Sequence, residues 1–215
     1  MDCNGATDMD HPRKNDQGKT VKLLKPSAPS PLAAWQDPQA VACVVPDGAM
    51  PEAVQGTPIR TWMAPGDPAA WEALAADMDF AEPDFVAPAG LKRSAGVVVC
   101  EPDGRVWLVA PSNQFGGYAA TFPKGRLDGR SAKATALVEA FEECGLRVRL
   151  TGHLLDVPRS TTYTRYYRAE RLDGNPADMG WESQAVLLVP LAQLPSVAQH
   201  ANDAPIIAAL KAVQG

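Results

Sequence analysis

The strongest constraint on the fold is a pair of β-rich runs separated by a tight turn. Residues 96–100 are Gly-Val-Val-Val-Cys and residues 105–109 are Arg-Val-Trp-Leu-Val, with Glu-Pro-Asp-Gly between them. An Asp-Gly pair between two such runs is a strong signal for a β-hairpin, because glycine adopts positive φ without steric cost. The sequence therefore predicts a sheet built around residues 96–109.

The chain after this hairpin alternates between strand and helix patterns. We expect strands at residues 118–122, 147–156, 163–171 and 185–189, and helices at residues 131–144 and 204–213. Strands that alternate with helices are typical of an α/β or α+β layered domain. We therefore assign residues 91–215 to one α/β (α+β) domain.

The first 90 residues differ from that domain in composition. Residues 1–30 are polar and end in a run rich in proline and serine, which is typical of a disordered tail or linker. Residues 31–90 hold nine of the chain's 20 prolines, but also large aromatic side chains that would be unfavourable in water. We predict a Pro-rich N-terminal extension that packs on the core, either as a structural appendage or as a segment that grips substrate or forms a homodimer.

Short regular elements are expected inside this extension. Asp67 followed by Pro68 is typical of a helix N-cap with proline at the first helical position, and apolar residues then recur at helical spacing. Short strands are predicted at residues 40–45 and 57–63.

The overall charge and apolar pattern disfavour several classes of protein. A formal net charge of -5 is unfavourable for a general nucleic-acid binder. The four cysteines include no C-x-x-C pair, which disfavours a zinc site or a disulfide framework. Because the first 25 residues lack the apolar stretch of a secretory signal and no run is long enough to span a membrane, we expect a cytoplasmic protein with no membrane partner.

Three carboxylates share one face of the helix predicted at residues 131–144. Successive helical residues turn by about 100°, so Glu139, Glu142 and Glu143 fall within one arc, opposite an apolar stripe. A solvated acidic face is one interpretation. However, the helix dipole disfavours each of these charges by about 0.3 to 1 kcal/mol, and no Lys or Arg lies between residues 134 and 146.

A bound cation would supply the missing countercharge. Carboxylate oxygens are hard ligands that select Mg²⁺ or Mn²⁺. Such an ion polarises phosphate and lowers the pKa of an attacking water. The helix therefore indicates a hydrolase that acts on a phosphorylated substrate.

The stretch from Gly125 to Leu146 resembles the Nudix box, written G-x5-E-x7-R-E-U-x-E-E-x-G-U with U apolar, and its C-terminal half matches throughout. The preceding Phe-Pro-Lys-Gly at residues 122–125 looks like the loop entry of the branch acting on dinucleoside polyphosphates and diphosphoinositol phosphates. This resemblance covers residues 91–200 and implies a Nudix-type α/β/α sandwich with a mixed β-sheet.

The resemblance also implies roles for individual residues. Glu139, Glu142, Glu143 and the carbonyl of Gly125 would be metal ligands, with Glu142 and Glu143 acting in catalysis. Glu182 looks like the downstream acidic residue that some members use as a further ligand or general base. An exposed loop glutamate is the alternative interpretation of Glu182.

Three departures from the family pattern concern the supporting residues. The loop after Gly125 is one residue short, Arg130 stands where a glutamate is expected, and Val138 stands where an arginine is expected. Loss of an acid and a base together is consistent with loss of one ion pair as a unit. It is equally consistent with reduced catalysis.

Basic and aromatic residues around the box indicate the substrate class. Guanidinium groups suit phosphate oxygens and aromatic rings suit a base. The predicted substrate-binding residues are Lys124, Arg126, Arg130, Arg165 and Tyr167. We expect a Mg²⁺-dependent pyrophosphohydrolase acting on a diphosphate linkage in a nucleoside-derived substrate: a dinucleoside polyphosphate, nucleotide sugar or diphosphoinositol phosphate. The alternative is a catalytically weakened Nudix-fold module that binds nucleotides or regulates.

Overall fold

The structure, a computed structural model, describes residues 8–214 of the chain. Its strands are β1 (Met9–Asp10), β2 (Lys22–Leu23), β3 (Ala42–Val44), β4 (Ala53–Val54), β5 (Thr57–Pro58), β6 (Lys92–Cys100), β7 (Arg105–Pro111), β8 (Lys124–Arg126), β9 (Leu146–Pro158), β10 (Thr162–Gly174) and β11 (Ser183–Pro190). Its α-helices are α1 (Pro68–Ala76), α2 (Ala132–Cys144), α3 (Leu194–Val197) and α4 (Ala204–Gln214).

One mixed sheet joins seven of these strands. Six lie in the order β3, β11, β7, β6, β10, β9, and the short β8 pairs with β6 beside this path. β6 and β10 are parallel, whereas the other paired strands of the sheet are antiparallel. The mixed sheet and few helices confirm the predicted fold class.

Helices cover both faces of the sheet. Val97 and Val99 of β6 pack in the same cluster as α2, whereas Val98 between them packs in the cluster that contains α4. Burial on both faces explains why this strand is a continuous apolar run instead of an alternating one. The three layers form an α/β/α sandwich.

Helix α2 begins and ends where the sequence predicts. The Ser131 hydroxyl accepts a hydrogen bond from the Ala134 N–H at 3.1 Å and caps the first turn. At the other end Gly145 has φ 66°, and its N–H donates to the Phe141 carbonyl at 2.7 Å. A Cβ on Gly145 would lie 2.2 Å from the Asn175 carbonyl oxygen, so glycine is required by both conformation and space.

The predicted hairpin around Asp-Gly is present. β6 and β7 are antiparallel, and the Glu101 N–H donates to the Arg105 carbonyl at 2.9 Å across the turn. Gly104 has φ 82°, the conformation that favours glycine. The later strands and the closing helix occur at the predicted places, with bounds that differ by a few residues.

The prediction of a strand at residues 118–122 is wrong. The strand reduces to a single bridge between Val109 and Thr121. The loop before it contains consecutive positive φ angles at Asn113 and Gln114, which interrupt the extended backbone just after β7. Pairing begins again only at β8, which lies against β6.

The N-terminal extension is built into the main sheet. β3 pairs with β11 and forms one edge of the sheet. The fully buried ring of Trp35 lies 5.8 Å from that of Trp107, centroid to centroid. The buried Arg105 guanidinium donates to the carbonyls of Ala34 and Trp35 at 3.0 and 2.7 Å. The boundary at residue 91 therefore stays a prediction, since the sheet crosses it.

The helix predicted after Asp67 forms, but the predicted strand at residues 57–63 is much shorter. The Asp67 carboxylate accepts from the Ala69 N–H at 2.9 Å, as an N-cap does. The 57–63 segment pairs only at β5 and at one bridge between Arg60 and Gly174.

Residues 8–30 differ from the disordered tail expected of residues 1–30. β1 and β2 pair with each other, and the side chains of His11 and Leu23 are buried. This segment keeps its position through hydrogen bonds to distant loops, which its polar composition does not predict. Residues 1–7, including Cys3, lie outside the described residues.

A search of the described helices found none with the length and apolar character needed to cross a membrane.

Candidate metal and phosphate site

The C-terminal half of α2 lies against the short strand β8. Glu139 is only 7% exposed, and its carboxylate touches the backbone of Gly125, where a Cβ would lie 1.9 Å from Oε1. Among residues 8–214, Glu139 has no hydrogen-bond donor. A buried carboxylate without a donor is unfavourable unless a cation compensates its charge.

Glu143 is buried one turn further along the same helix. The Lys124 backbone N–H donates to its Oε2 at 3.0 Å. Burial raises the pKa of Glu143 to about 7, although the positive charge of Lys124 opposes this effect. Glu143 is therefore anchored to the strand that also carries Gly125.

A loop brings Glu182 to the end of α2. The Gly180 N–H donates to the Glu142 carbonyl at 2.7 Å, and a Cβ on Gly180 would lie 2.6 Å from that oxygen. From the other side, the Ser112 N–H donates to the Glu182 carbonyl at 2.7 Å. Glu142 and Glu182 are both exposed beside this contact.

The four carboxylates lie close enough to repel one another. Burial, and then the charges of Glu143, Glu142 and Glu182, raise the pKa of Glu139 well above its ordinary value. Although the side chains of Glu142 and Glu182 reach solvent, the protein atoms packed around them partly desolvate their carboxylates, and this raises the pKa of both. Ionisation of all four groups therefore requires positive charge from elsewhere.

Lys124 and Arg130 supply part of this positive charge. The charge of Lys124 opposes the rise in the pKa of Glu139 and of Glu182, and Arg130 opposes the rise in that of Glu142. Neither side chain forms an ion pair within 4.0 Å with a described residue.

Arg126 lies on β8 two residues beyond Lys124 and is exposed. It pairs across the sheet with Ser94 and forms no ion pair with the residues that the structure describes. Its position extends the basic surface along β8.

Two predicted substrate residues on β10 are engaged by other side chains of the protein, although Arg165 is in register with Ala95, the β6 partner of Gly125. The Arg165 guanidinium donates to Asp156 at 2.7 and 2.8 Å and to Glu82 at 3.1 Å. The fully buried Tyr167 donates its hydroxyl to Glu82 at 2.6 Å. These contacts fix the extension to the sheet, so Arg165 and Tyr167 are not carried into the proposed substrate site.

Sequence reasoning missed two residues at the site. The Trp181 indole N–H donates to Asp16 Oδ1 at 3.1 Å, which places Asp16 beside the loop that carries Glu182. No local pattern could have found this contact, because 165 positions separate the two partners in sequence.

The structure shows the surroundings of the two residues, Val138 and Arg130, that depart from the Nudix pattern. Val138 is buried in the core, with 1% exposure, where an arginine without an acidic partner would be unfavourable. Arg130 stands at the position of the expected glutamate. Its positive charge opposes the rise in the pKa of Glu142. The acid and base of the family pattern are thus absent together, while the three helix carboxylates remain.

The residues present fit a hard divalent cation. Within residues 8–214, no three His, Cys, Asp or Glu side chains are already close enough together to form a metal site. The donors are nevertheless carboxylate and carbonyl oxygens, which suit Mg²⁺ or Mn²⁺. The Glu139 carboxylate fills the space that the missing side chain of Gly125 leaves open, which brings its oxygens against the Gly125 backbone.

The three-layered sandwich presents the carboxylates of α2 beside the short basic strand β8. A family model described as the NUDIX domain matches residues 90–210, more than half of the chain. The chain therefore belongs to the Nudix family.

Solved structures match part of the chain at low sequence identity. An Ap4A hydrolase of C. elegans is 20% identical, covering 58% of this chain and 98% of that chain, with a TM-score of 0.47. A NUDIX hydrolase from Nitrosomonas europaea is 20% identical, covering 59% and 74%, with a TM-score of 0.48. A UDP-X diphosphatase is 18% identical, covering 60% and 67%, with a TM-score of 0.47. No curated protein matches the chain.

Proposed function

We propose that this protein hydrolyses a diphosphate linkage in a phosphorylated, nucleoside-derived substrate and that the reaction depends on Mg²⁺ or Mn²⁺. Glu139, Glu142, Glu143 and the carbonyl oxygen of Gly125 would hold the ion. The substrate would be a small molecule such as a dinucleoside polyphosphate, a nucleotide sugar or a diphosphoinositol phosphate.

The observation that carries this proposal is the environment of Glu139. The residue is only 7% exposed, and its carboxylate has no donor among the described residues and lies in the space that Gly125 leaves open. A side chain that only stabilised the fold would be expected to have a hydrogen-bonding or ionic partner. A cation-binding role accounts for both its burial and its missing partner.

Residues of the chain would orient the substrate and move the proton. A bound Mg²⁺ would polarise phosphorus and acidify an attacking water. Lys124 and Arg130, which lack ion-pair partners in the described residues, would bind phosphate oxygens on either side of the carboxylates. Glu182, whose pKa is raised by burial and then by Asp16, would accept a proton from the attacking water.

Exposed Arg126 would contact the outer part of the substrate. Its place on β8 beyond Lys124 suits a second phosphate group more distant from the carboxylates. This role is consistent with a substrate that carries several phosphates.

The alternative is a module that binds nucleotides without turnover. It is motivated by Arg130 and Val138, which replace the supporting acid and base of the family pattern. The same residues would bind the substrate of a hydrolase and the ligand of a binding module. Only the formation of a product would therefore distinguish the two functions.

The decisive experiment incubates purified protein with a panel of diphosphate compounds in Mg²⁺ or in chelator. The panel contains a dinucleoside polyphosphate, a nucleotide sugar, ADP-ribose and a diphosphoinositol phosphate. We expect a monophosphate product that appears only with the metal. Tight binding without product would instead support the module.

Glu143→Gln should lower turnover by at least about 100-fold, because it removes a carboxylate from the proposed metal site. Its matched control is Glu52→Gln, since Glu52 is exposed and its carboxylate has no partner among the described residues. Equal rates for Glu143→Gln and wild type would remove Glu143 from the mechanism.

A further inference from the structure

Residues 8–27 form a segment, called the strap below, that runs alongside the start of β11. The buried His11 ring places Nε2 3.0 Å from the Ser183 carbonyl oxygen. The Gln184 side-chain amide donates to the Lys25 carbonyl at 3.1 Å. The strap lies outside residues 90–210, the part that matches the family model.

The tip of the strap is a tight turn that fixes the position of Asp16. The Asn15 side-chain oxygen accepts from the backbone N–H groups of Gln17 and Lys19 at 3.1 and 2.9 Å. Gly18 completes the turn with φ 71°. Such side-chain to backbone bonds stabilise turns. The neighbours of Asp16 therefore hold its backbone, and its carboxylate is left for other contacts.

A short series of contacts links Asp16 to the end of α2. Asp16 Oδ1 accepts the indole N–H of Trp181, and the adjacent Gly180 donates its N–H to the Glu142 carbonyl. Glu182 is the next residue after Trp181. Asp16 forms no ion pair within 4.0 Å with any described Lys or Arg, so its negative charge adds to that of the cluster.

The Trp181 contact places the charge of Asp16 next to Glu182. Burial is the main cause of the raised pKa of Glu182, and the charge of Asp16 is the next largest. The tip of the strap therefore lies beside the loop that carries Glu182.

We propose that Asp16 is a further residue of the metal site, where its carboxylate accepts a hydrogen bond from a water molecule of the ion's shell. This inference rests on the proposed function. Mg²⁺ usually keeps several of its waters, and carboxylates that bind those waters strengthen metal binding. The buried, donor-free Glu139 independently indicates a cation at the same cluster.

The test measures Mn²⁺ binding to the full-length chain by electron paramagnetic resonance, without substrate. The variant is Asp16→Asn, because the amide oxygen of Asn still accepts the Trp181 N–H while the negative charge is lost. The matched control is Asp10→Asn, since Asp10 is exposed on the same strap and its carboxylate has no partner among the described residues. Thermal unfolding of each variant checks that the strap remains folded.

We expect Asp16→Asn to weaken Mn²⁺ binding by about 10-fold to 100-fold, while Asp10→Asn binds like the wild type. The difference should persist at about 1 M salt, where the Debye length falls to about 3 Å and long-range attraction is screened. A difference that disappears in high salt would reduce Asp16 to a distant surface charge and overturn the proposal.

Glu143→Gln separates this inference from the proposed function. If wild type binds Mn²⁺ and Glu143→Gln weakens binding but Asp16→Asn does not, the role of Asp16 is wrong and the metal site stands. If wild type itself binds no Mn²⁺, the proposed function fails and the role of Asp16 fails with it.

Discussion

The carboxylate of Glu139 occupies space that only a glycine at position 125 leaves open. A Cβ there would lie 1.9, 2.4 and 2.8 Å from the three atoms of the carboxyl group. The clash involves the far end of a flexible side chain, so Glu139 can move away while the fold is retained. The position of the Glu139 carboxylate in the proposed metal site therefore depends on the absence of a side chain at Gly125.

Gly125→Ala should lower Mn²⁺ affinity by about 10-fold to 100-fold, because the carboxylate of Glu139 is displaced. The free energy of unfolding should change little, since a glutamate tip and not the backbone has to move. Calorimetric titration with Mn²⁺ and urea unfolding measure the two effects.

Gly66→Ala is the control for this substitution. No atom lies within 4 Å of a Cβ built on Gly66, and its φ is not positive. Unchanged metal affinity in Gly125→Ala would show that the position of Glu139 does not matter for the ion.

At the scale of elements, residues 80–85 of the extension are fixed to β9 and β10 through ionic contacts. Asp156 accepts from the Arg165 guanidinium at 2.7 and 2.8 Å, and Glu82 binds both Arg165 and Tyr167. Burial disfavours the charge of Asp156, but hydrogen bonds from Arg165 and His153 outweigh it and lower its pKa. The ionised form is therefore favoured in the folded protein.

Asp156→Asn should destabilise the protein by about 2 kcal/mol at pH 7, because Arg165 loses charged hydrogen bonds. A lowered pKa in the folded state contributes stability above the unfolded value, near 3.9, and loses it as pH falls through the folded value. The difference between wild type and variant should therefore shrink below about pH 4.

Urea unfolding across this pH range checks the expectation. Asp84→Asn serves as the control, since Asp84 is exposed in the same segment and has no ionic partner among residues 8–214. A difference that stays constant down to pH 2 would show that the charge of Asp156 is not responsible.

On the scale of the whole molecule, the N-terminal extension completes the sheet and the core. β3 covers the edge of β11, and Trp35 packs on Trp107 with no exposed surface. Loss of one buried tryptophan alone costs about 3 to 5 kcal/mol, a large share of the 5 to 15 kcal/mol typical of a domain. The region that matches the family model therefore depends on residues outside it.

A fragment of residues 91–215 should lack a cooperative thermal transition, because its core opens where the extension packs. A fragment of residues 28–215 keeps β3 and Trp35 but lacks the strap, and we expect it to unfold cooperatively. Differential scanning calorimetry compares both with the full chain. A cooperative transition of the shorter fragment near that of the full chain would establish residues 91–215 as an independent domain.

Several features of the fold could be predicted from short stretches of sequence. The spacing of Glu139, Glu142 and Glu143 gives one acidic face, and Gly145 ends the helix because glycine tolerates positive φ. The Asp-Gly hairpin follows from the same property. These features depend on residues a few positions apart, whose geometry is set by the backbone itself.

Contacts between distant segments could not be predicted in this way. Arg165 and Tyr167 have the chemistry of substrate residues, yet Glu82 and Asp156 engage them. Polar residues 8–30 have the composition of a tail, but the strap binds the start of β11. The amino-acid sequence indicates which groups a side chain can bind, but it does not indicate which residues lie beside that side chain in the folded protein.

The sequence by itself therefore determined helix α2, its three carboxylates and the β6–β7 hairpin, because local periodicity and turn chemistry encode them. Only the tertiary structure decided that Asp16 binds Trp181 beside Glu182, that Gly125 receives Glu139 and that β3 of the extension completes the main sheet. Those contacts arise when chain topology brings remote residues together, and the free energy of burying them depends on the whole molecule.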